Sequence, residues 1–400
     1  MIYDYIIIGA GISGLYNAYL LDKKYSVLVL EKNDYIGGRI KEVKFHNTII
    51  KLGAGVSQGK NINVLNLLKL LKVPYTTGIS IKSIITNINH FNINHFNIND
   101  FNINNAIKLI KAKYNELDKS LLYKITFGQF LEKYFGKKFK LNYIKHSGYT
   151  DFINSDITYH IKYYPIEDHL TKDNILVYLK WSDLINKLKQ NLTIKLNTDV
   201  INVYRNDYFC VNTKDTTYYS RKIIFALSIK PLNHLIKNLH TGINYKKYIG
   251  VVKYMRIYTY HKNGHNFKND QIKGYNILVD KNPLQKIIII SDKILMASYC
   301  DGVNALYWNK MQQGELKNTL LYWLRKIEHN TTEIDDVLCK FWDEGVHYYK
   351  PHKHIKNMIK KLQNPGKDIY VVGEVVSFRH GWVEGAISSV NIIYKKMHLK

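Results

Sequence analysis

Short apolar runs joined by a helical pattern open the chain and predict a parallel sheet. Ile2–Ile8 is a nearly continuous apolar run, as expected for a strand buried on both faces, and Val27–Leu30 is a second such run. Between them, Ile12, Leu15 and Tyr19 recur at the spacing of one helix face. This order predicts a strand–helix–strand opening.

Similar patterns recur along the rest of the 400 residues. They predict buried strands at 223–227 and 369–372, an alternating strand at 250–260, several short strands within 192–228, and helices at 64–71, 182–190, 314–328 and 385–395. Segments of Rossmann character thus occur at both ends and in the middle. The predicted fold class is α/β, with a Rossmann-like nucleotide-binding domain formed by 1–82, 176–232 and 365–400 and an inserted α+β domain formed by 83–175 and 233–364.

Residues 87–105 are low in complexity and repeat Asn-Ile-Asn-His-Phe with a period of five. That period matches neither a helix nor a strand, and the three copies are too short for a solenoid. We therefore interpret the segment as an inserted loop. A binding role for its His and Phe side chains is the less favoured alternative.

Cysteine usage and hydropathy exclude several classes of protein. Cys210, Cys300 and Cys339 lie far apart, so neither a disulfide framework nor a structural zinc site is expected. No apolar run reaches the roughly 18 residues that a bilayer span needs. The apolar N-terminus contains Asp4 and leads into a glycine motif, which is typical of a first strand and not of a signal peptide. We expect a soluble, cytoplasmic protein without a metal site.

The formal net charge is +26. A basic surface attracts phosphates, nucleic acids and anionic membranes. However, only six of the 58 basic residues are arginine, and the lysines are spread along the chain. The abundance of Lys, Asn, Ile and Tyr also matches A/T-rich codons, and no zinc-finger, RRM or KH pattern is present. A nucleic-acid partner is therefore not favoured.

A Gly-x-Gly-x-x-Gly motif at 9–14 follows the first strand and opens the first helix. The first glycine of such a motif forms a tight turn, the second lets the backbone approach a pyrophosphate, and the third lets helix and strand pack closely. The phosphates then lie against free N–H groups at the positive end of the helix dipole. Glu31, after the second strand, is placed for the ribose hydroxyls of an adenosine. The motif therefore predicts a bound dinucleotide, either NAD or FAD.

A second glycine turn, Gly37-Gly38-Arg39, follows six positions after Glu31. Such a turn brings backbone amides and one guanidinium to the same pyrophosphate. Arginine is scarce in this lysine-rich chain, so its use at Arg39 indicates a need for the planar fork and not only for a positive charge.

The motifs at 9–14, 31, 37–39 and 52–55 together resemble the N-terminus of the flavin-containing amine oxidases. That family includes the monoamine, polyamine and L-amino acid oxidases. The resemblance returns at Gly373-Glu374 and in His-Gly-Trp-Val-Glu-Gly-Ala at 380–386, and more loosely at 181–200. It covers most of the predicted Rossmann-like domain and implies that the nucleotide is FAD.

The resemblance implies a role for each residue that matches a family motif. The residues implied to contact FAD are Gly9, Gly11, Ile12, Ser13, Gly14, Glu31, Lys32, Gly38, Arg39, Gly53, Ala54, Gly55, Val56, Val200, Gly373, Glu374, Trp382, Val383 and Ala386. Glu31 is expected at the adenine ribose, Arg39 at the pyrophosphate and Gly53–Gly55 along one flavin face. The amides of Val383 and Ala386 are expected near the flavin N1–C2 carbonyl side, where a helix N-terminus stabilises the negative charge of reduced flavin.

Four residues are implied to act near the reacting atoms. Trp382 falls where the monoamine oxidases place one wall of an aromatic cage around a neutral amine, and His347 or Tyr348 is expected to supply the other wall. Lys253 resembles the family lysine that holds a water against flavin N5. The alternatives are a core aromatic for Trp382 and a solvent-facing strand residue for Lys253. Arg256 is expected on the other strand face, paired with a substrate carboxylate or an internal acid.

Two departures from the family concern the cofactor and the membrane. The cysteine that carries the flavin in monoamine oxidases is absent, so FAD is expected to be non-covalent, and a membrane tail like theirs is not expected. The expected function is oxidation of a C–N bond in an amine or amino acid by hydride transfer to flavin N5, with dioxygen as the reoxidant. The alternatives are a desaturase, a porphyrinogen-type oxidase, a sugar-nucleotide mutase or a catalytically decayed flavoprotein. The charge disfavours polyamine substrates.

Overall fold

The computed structural model describes residues 1–79, 83–86, 101–163, 175–267 and 276–398. The first segment contains β1 (Ile2–Ile8), α1 (Ile12–Leu21), β2 (Val27–Leu30), β3 (Glu42–Phe45), β4 (Thr48–Lys51), β5 (Ser57–Gln58), α2 (Ile62–Leu70) and β6 (Tyr75–Ile79). The next two contain β7 (Ser83–Thr86), α3 (Ile103–Glu116), α4 (Lys119–Leu122), α5 (Phe127–Ser147) and α6 (Ile157–Tyr163).

The remaining two segments complete the fold. The fourth contains β8 (Ile175–Leu179), α7 (Trp181–Leu188), β9 (Ile194–Lys195), β10 (Val200–Arg205), β11 (Phe209–Thr213), β12 (Thr217–Phe225), α8 (Ile229–Leu235), a 3-10 helix (Ile236–Leu239), α9 (Tyr245–Tyr248) and β13 (Ile249–Tyr260). The fifth contains β14 (Asn276–Val279), β15 (Lys286–Ser291), β16 (Ile294–Asp301), α10 (Gly302–Asn309), α11 (Gln313–Arg325), β17 (Asp336–Tyr349), α12 (Ile355–Gln363), β18 (Ile369–Val371), a 3-10 helix (Glu374–Val376) and α13 (Val383–His398).

β1 lies at the centre of a seven-stranded sheet. The strand order is β10–β11–β12–β1–β2–β9, and β18 pairs with the second half of β12. β1 is parallel to both neighbours, with Ile6 opposite Ile223 on one side and Leu28 on the other. Ile6 and Ile7 are fully buried in different cores because both faces of a parallel sheet are covered. The predicted strands β1, β2 and β18 are confirmed.

Helices cover both faces of this sheet. α1, α2 and α13 share one core, to which Leu15, Leu67 and Ile387 contribute fully or almost fully buried side chains. α8 and α12 cover the other face with Leu232 and Ile359. This is the doubly covered arrangement expected for a Rossmann-like sheet.

A second sheet of six strands has the order β17–β13–β16–β15–β14–β7. β13 is antiparallel to both β16 and β17. Met255 and Ile257 of β13 face a core covered by α10 and α11, where Trp308 and Leu320 are buried. Because side chains alternate along a strand, the intervening positions of β13 face the opposite way.

A helical group formed by α3, α5 and α6 has its own core of aromatic residues around Phe127 and Phe130. α5 begins with a capping box, in which Thr126 and Gln129 each bond the other's backbone amide. No helix in the described ranges has the length and apolar character that a bilayer crossing requires.

Two features differ from the sequence prediction. Of the predicted loop 87–105, residues 87–100 lie outside the described part, and Ile103–Asn105 begin α3 because the Asn102 side chain caps it, accepting from the Asn105 amide at 3.1 Å. β17 was not predicted, since Lys340 and an Asp-Glu pair at 343–344 interrupt its apolar alternation.

Candidate cofactor and substrate site

A single cavity of about 1370 Å³ runs from the first glycine turn to the inner face of the six-stranded sheet. Drug-sized ligands typically occupy roughly 300–1,000 Å³, so this volume suits a long molecule. The cavity begins at the carboxyl ends of β1 and β2, which is where open α/β sheets bind their ligands. It is bordered by every residue implied to contact FAD except Gly14.

The first and third glycines of the 9–14 motif are required by packing. Gly9 has φ +101°, and a Cβ there would lie 2.5 Å from the Ala226 carbonyl oxygen. A Cβ on Gly14 would lie 1.9 Å from the Gly9 carbonyl oxygen. Gly14 therefore packs against the backbone of the turn, which is the close-packing role expected of the third glycine. It does not border the cavity.

Gly11 is different, because nothing in the protein demands a glycine there. Its φ of −68° is open to any residue, and a Cβ would meet no atom within 4 Å. Gly11 is the N-cap of the ten-residue α1, whose first turn has no side-chain cap. The free amides of that turn and the open space above Gly11 form a cradle for an anionic group.

Glu31 lies just beyond β2 and is 6% exposed at the edge of the cavity. One carboxylate oxygen accepts the Ala10 amide at 2.8 Å, and the other accepts the Asn33 amide at 3.0 Å. Glu31 thus ties the β1–α1 turn to the end of β2 while it borders the cavity. Lys32 borders the cavity beside it, and Val200 borders the same end from the start of β10.

The second glycine turn lies against the first. Gly37 pairs with Gly11 in an isolated bridge, and its amide donates to the Ala10 carbonyl at 2.8 Å. Arg39 then projects along the cavity. Its Nη1 donates to the Gly345 carbonyl at 2.8 Å and to the Glu374 carboxylate at 2.5 Å.

Glu374 is the centre of a buried polar cluster. It is 5% exposed and accepts from Arg39, from the His347 ring and from the Gly381 amide at 3.1 Å. Burial alone would raise the pKa of Glu374, but Arg39 and His347 hold that pKa well below its usual range. The cluster joins the second glycine turn to β17 and to the loop before α13.

The 53–56 segment follows β4 and forms one wall of the cavity. Gly53 is required by packing, since a Cβ would lie 1.8 Å from the Arg39 carbonyl oxygen. Gly55 faces open space, where the nearest atom to a Cβ would be Nη2 of Arg256, 3.7 Å away. Lys51 fixes this wall by donating to the Gly55 carbonyl at 2.7 Å, and burial lowers the pKa of Lys51.

The wall near α13 combines Trp382 with the first turn of the helix. Val383 is the first helical residue, so its amide is one of the groups a helix leaves without an internal partner. Glu384 is turned away from the cavity, and its buried carboxylate accepts the Asn63 and Val64 amides at 3.3 and 3.0 Å. The acidic residue of this motif therefore caps α2.

The far end of the cavity is lined by tyrosines and cations. Tyr149, Tyr254 and Tyr299 lie with ring centroids 5.8–6.4 Å apart. The guanidinium of Arg256 lies 4.5 Å from the centre of the Tyr299 ring, and Nζ of Lys286 lies 3.8 Å from that of Tyr149. The sequence analysis missed the tyrosines and Lys286, because one aromatic or lysine among many carries no local signal.

Comparison with known proteins matches this architecture. Residues 7–71 match a family model described as an NAD(P)-binding Rossmann-like domain. The structure of wild-type putrescine oxidase bound to putrescine is similar over 100% of both chains, with a TM-score of 0.76 and 13% identity. Cyclohexylamine oxidase from Brevibacterium oxydans is similar over 99% of this chain and 100% of that chain, with a TM-score of 0.76 and 17% identity. The chain therefore shares the fold of these two oxidases.

One curated relative matches a shorter part. An uncharacterized protein of Acanthamoeba polyphaga mimivirus is 24% identical over 122 residues, which are 25% of this chain and 24% of that protein. The match spans about a quarter of the relative's length. At these identities the comparisons establish the fold, and the chemistry depends on the residues of the site.

Within this amine-oxidase fold, neither His347 nor Tyr348 borders the cavity, which corrects the predicted second cage wall. His347 is fully buried, with Nδ1 donating to Glu374 and Nε2 accepting the Ile229 amide at 3.3 Å. Tyr348 lies over Gly250, where a Cβ would be 2.1 Å from its ring.

The stretch of β17 that borders the cavity ends one residue before His347. Residues 342–346 all border the cavity, and Val346 is the last of them. Val346 lies against Gly381, whose Cβ position would be 3.4 Å from a Val346 methyl group. The residue near Trp382 on this strand is therefore aliphatic.

Two further placements correct the sequence prediction. Lys253 does not border the cavity, because Tyr254 and Arg256 take the inward positions on β13, and its ammonium pairs with Asp343 at 3.0 Å. The Ala386 amide donates to the Trp382 carbonyl at 3.3 Å inside α13. It is therefore engaged within the helix and not directed at a ligand.

Proposed function

We propose that this chain binds FAD non-covalently and is an oxidoreductase that oxidises a C–N bond of an amine or amino acid, with dioxygen as the reoxidant. The observation that carries the proposal is one continuous cavity that joins a dinucleotide turn to a tyrosine-lined end. The similar folds named putrescine oxidase and cyclohexylamine oxidase support the reaction class.

The residues of the cavity fit an extended dinucleotide. The space above Gly11 would be filled by any side chain, and α1 offers free amides beside it. Ser13, Gly38 and Arg39 would complete the pyrophosphate site, and Glu31 would face the ribose. None of the three cysteines borders the cavity, which supports a non-covalent cofactor.

The chain's own residues would position the substrate and stabilise negative charge near the α13 N-terminus. Bound FAD supplies a two-electron acceptor, and dioxygen removes those electrons as peroxide. The substrate loses a hydride from carbon and a proton from nitrogen, which leaves an imine for hydrolysis. Trp382 and the tyrosines would hold the reacting carbon and exclude water, and the Val383 amide at the α13 N-terminus would favour negative charge.

The test begins with the purified protein. Heat denaturation should release FAD into the supernatant and leave colourless precipitated protein. Anaerobic addition of amines and amino acids should bleach the oxidised flavin absorbance with at least one of them, and air should restore it with formation of peroxide. Protein that binds FAD but is bleached by no donor in the panel would contradict the proposed reaction, and protein that does not bind added FAD would contradict the proposal entirely.

A further inference from the structure

Arg256 brings a buried positive charge into the cavity. It is 7% exposed on β13, and its Nη2 lies 3.7 Å from the Cβ position of Gly55. Gly55 belongs to the wall that is proposed to run along the flavin. The guanidinium is therefore at the junction of the cofactor and substrate ends.

The partners of this guanidinium are neutral. Nη1 donates to the Lys51 carbonyl at 2.6 Å, and the hydroxyls of Tyr258, Tyr299 and Tyr149 and the ring of Tyr299 lie around the guanidinium. Burial raises the pKa of Tyr258, so its hydroxyl stays protonated. In the described part of the chain, no carboxylate lies within ion-pair distance of Arg256. Burying a charged guanidinium without a counter-charge costs folding free energy. The guanidinium has five N–H donors, and the neighbouring acceptors use fewer than that.

A second cation borders the same end. Lys286 is 2% exposed, and its ammonium lies against the Tyr149 ring. One carboxylate, that of Asp151, also borders the cavity from the Tyr149 loop. Lys286 has the buried Asp301 as an electrostatic neighbour, whereas no described carboxylate lies within ion-pair distance of Arg256. Arg256 is therefore the cation at this end that favours a substrate group of negative charge.

We infer that Arg256 binds a substrate carboxylate, so that the substrate is an α-amino acid and not a simple amine or a polyamine. This inference rests on the proposed function and specifies its substrate. A carboxylate takes two parallel hydrogen bonds from a guanidinium, and that pair fixes orientation as well as affinity. The α-carbon, one bond away, would be held at the junction beside Gly55. The tyrosines suit an aromatic or large apolar side chain.

A binding test needs no turnover. The FAD-loaded protein is heated with benzoate, which has only the carboxylate, or with benzylamine, which has only the amine. Benzoate should raise the melting temperature and benzylamine should not. The Arg256→Gln variant should lose about 10- to 100-fold in benzoate affinity, whereas Arg221→Gln, an exposed arginine paired with Asp4, should not change it.

Turnover then compares matched pairs that differ by one carboxylate: phenylalanine with phenethylamine, and tyrosine with tyramine. The amino acids should be preferred, and Arg256→Gln should raise their KM more than it lowers kcat, with partial rescue in Arg256→Lys. Equal use of both members of a pair by the wild type would overturn the inference while leaving the proposed function intact. Benzoate stabilisation without bleaching by any donor would support the carboxylate site and overturn the proposed reaction.

Discussion

The two ends of the cavity are built by different means. The nucleotide end consists of backbone and glycine turns from a few short stretches, and what matters there is the absence of side chains. The substrate end consists of long side chains from β13, β15 and β16, and what matters is which way each strand faces. The open space at the nucleotide end depends on glycines in short stretches of sequence. The side chains that reach the substrate end depend on how the strands pair.

The largest effect, a loss of FAD affinity, is expected from a side chain that fills the nucleotide end of the cavity. Gly11→Val places a branched side chain in open space without a backbone conflict, so the protein should fold normally. FAD affinity should fall about 100-fold or more, because the new methyl groups occupy the space proposed for the pyrophosphate. Titration of the apoprotein with FAD measures this loss.

Gly314→Val provides the matched control. A Cβ at Gly314 also meets nothing within 4 Å, but Gly314 lies on α11 away from the cavity. This variant should bind FAD like the wild type. A Gly11→Val protein that still binds FAD with wild-type affinity would show that the cradle does not hold the cofactor.

The contrast also explains what the sequence could predict. Gly14 is needed for its contact with Gly9 and Gly53 for its contact with Arg39, and the 9–14 motif and the buried strands appear as uninterrupted patterns. The Rossmann-like core and the helices α1, α2, α7, α11 and α13 were therefore predictable. These features depend on residues that are close in sequence or on apolar periodicity.

The placement of His347, Tyr348 and Lys253 was not predictable in the same way. β13 and β17 pair with shifts in register between Val252 and Tyr254, and a one-residue shift turns a side chain to the other face. A motif match fixes the approximate position but not the face. The partnership of Arg39 with Glu374 joins residues 335 positions apart, which no local pattern reveals.

The next largest effect, a loss of folding stability, is expected in the buried polar cluster around Glu374. Glu374→Gln removes the carboxylate that Arg39 and His347 share, and it should destabilise the protein by about 3 kcal/mol, since breaking a buried ion pair leaves a charge without its partner. Chemical denaturation of the FAD-free protein at neutral pH measures the difference. An unchanged midpoint would show that the cluster does not stabilise the fold.

The pH dependence gives an independent test of the same carboxylate. Because the folded-state pKa of Glu374 is lowered, its contribution to stability is complete above the unfolded-state pKa of roughly 4.3 and is lost as the pH falls through the folded-state pKa. The stability difference between the wild type and Glu374→Gln should therefore be constant near neutral pH and shrink below about pH 4. A difference that grows on acidification would contradict the lowered pKa.

A smaller effect is expected from the substrate wall. Trp382→Ala should reduce kcat/KM about 10-fold, the scale of one lost aromatic contact, and Trp382→Phe should recover most of it. The FAD content of each variant is measured alongside, because Trp382 is also among the residues implied to contact FAD. An effect much larger than this would indicate that a second aromatic residue closes a cage around the substrate together with Trp382.

The smallest effect is expected at Lys253, where the resemblance and the structure disagree most. If Lys253 held a water against the flavin, Lys253→Met would slow reoxidation of the reduced protein by dioxygen by orders of magnitude. The structure pairs it with Asp343, which borders the cavity while Lys253 does not, and a partly exposed pair of this kind contributes about 0–1 kcal/mol. Reoxidation followed by rapid mixing should therefore change less than about threefold in Lys253→Met and in Asp343→Asn alike. A large loss confined to Lys253→Met would mean that β13 turns this lysine inward when the cofactor is bound, and the strand register that separates the two ends would then have to be revised.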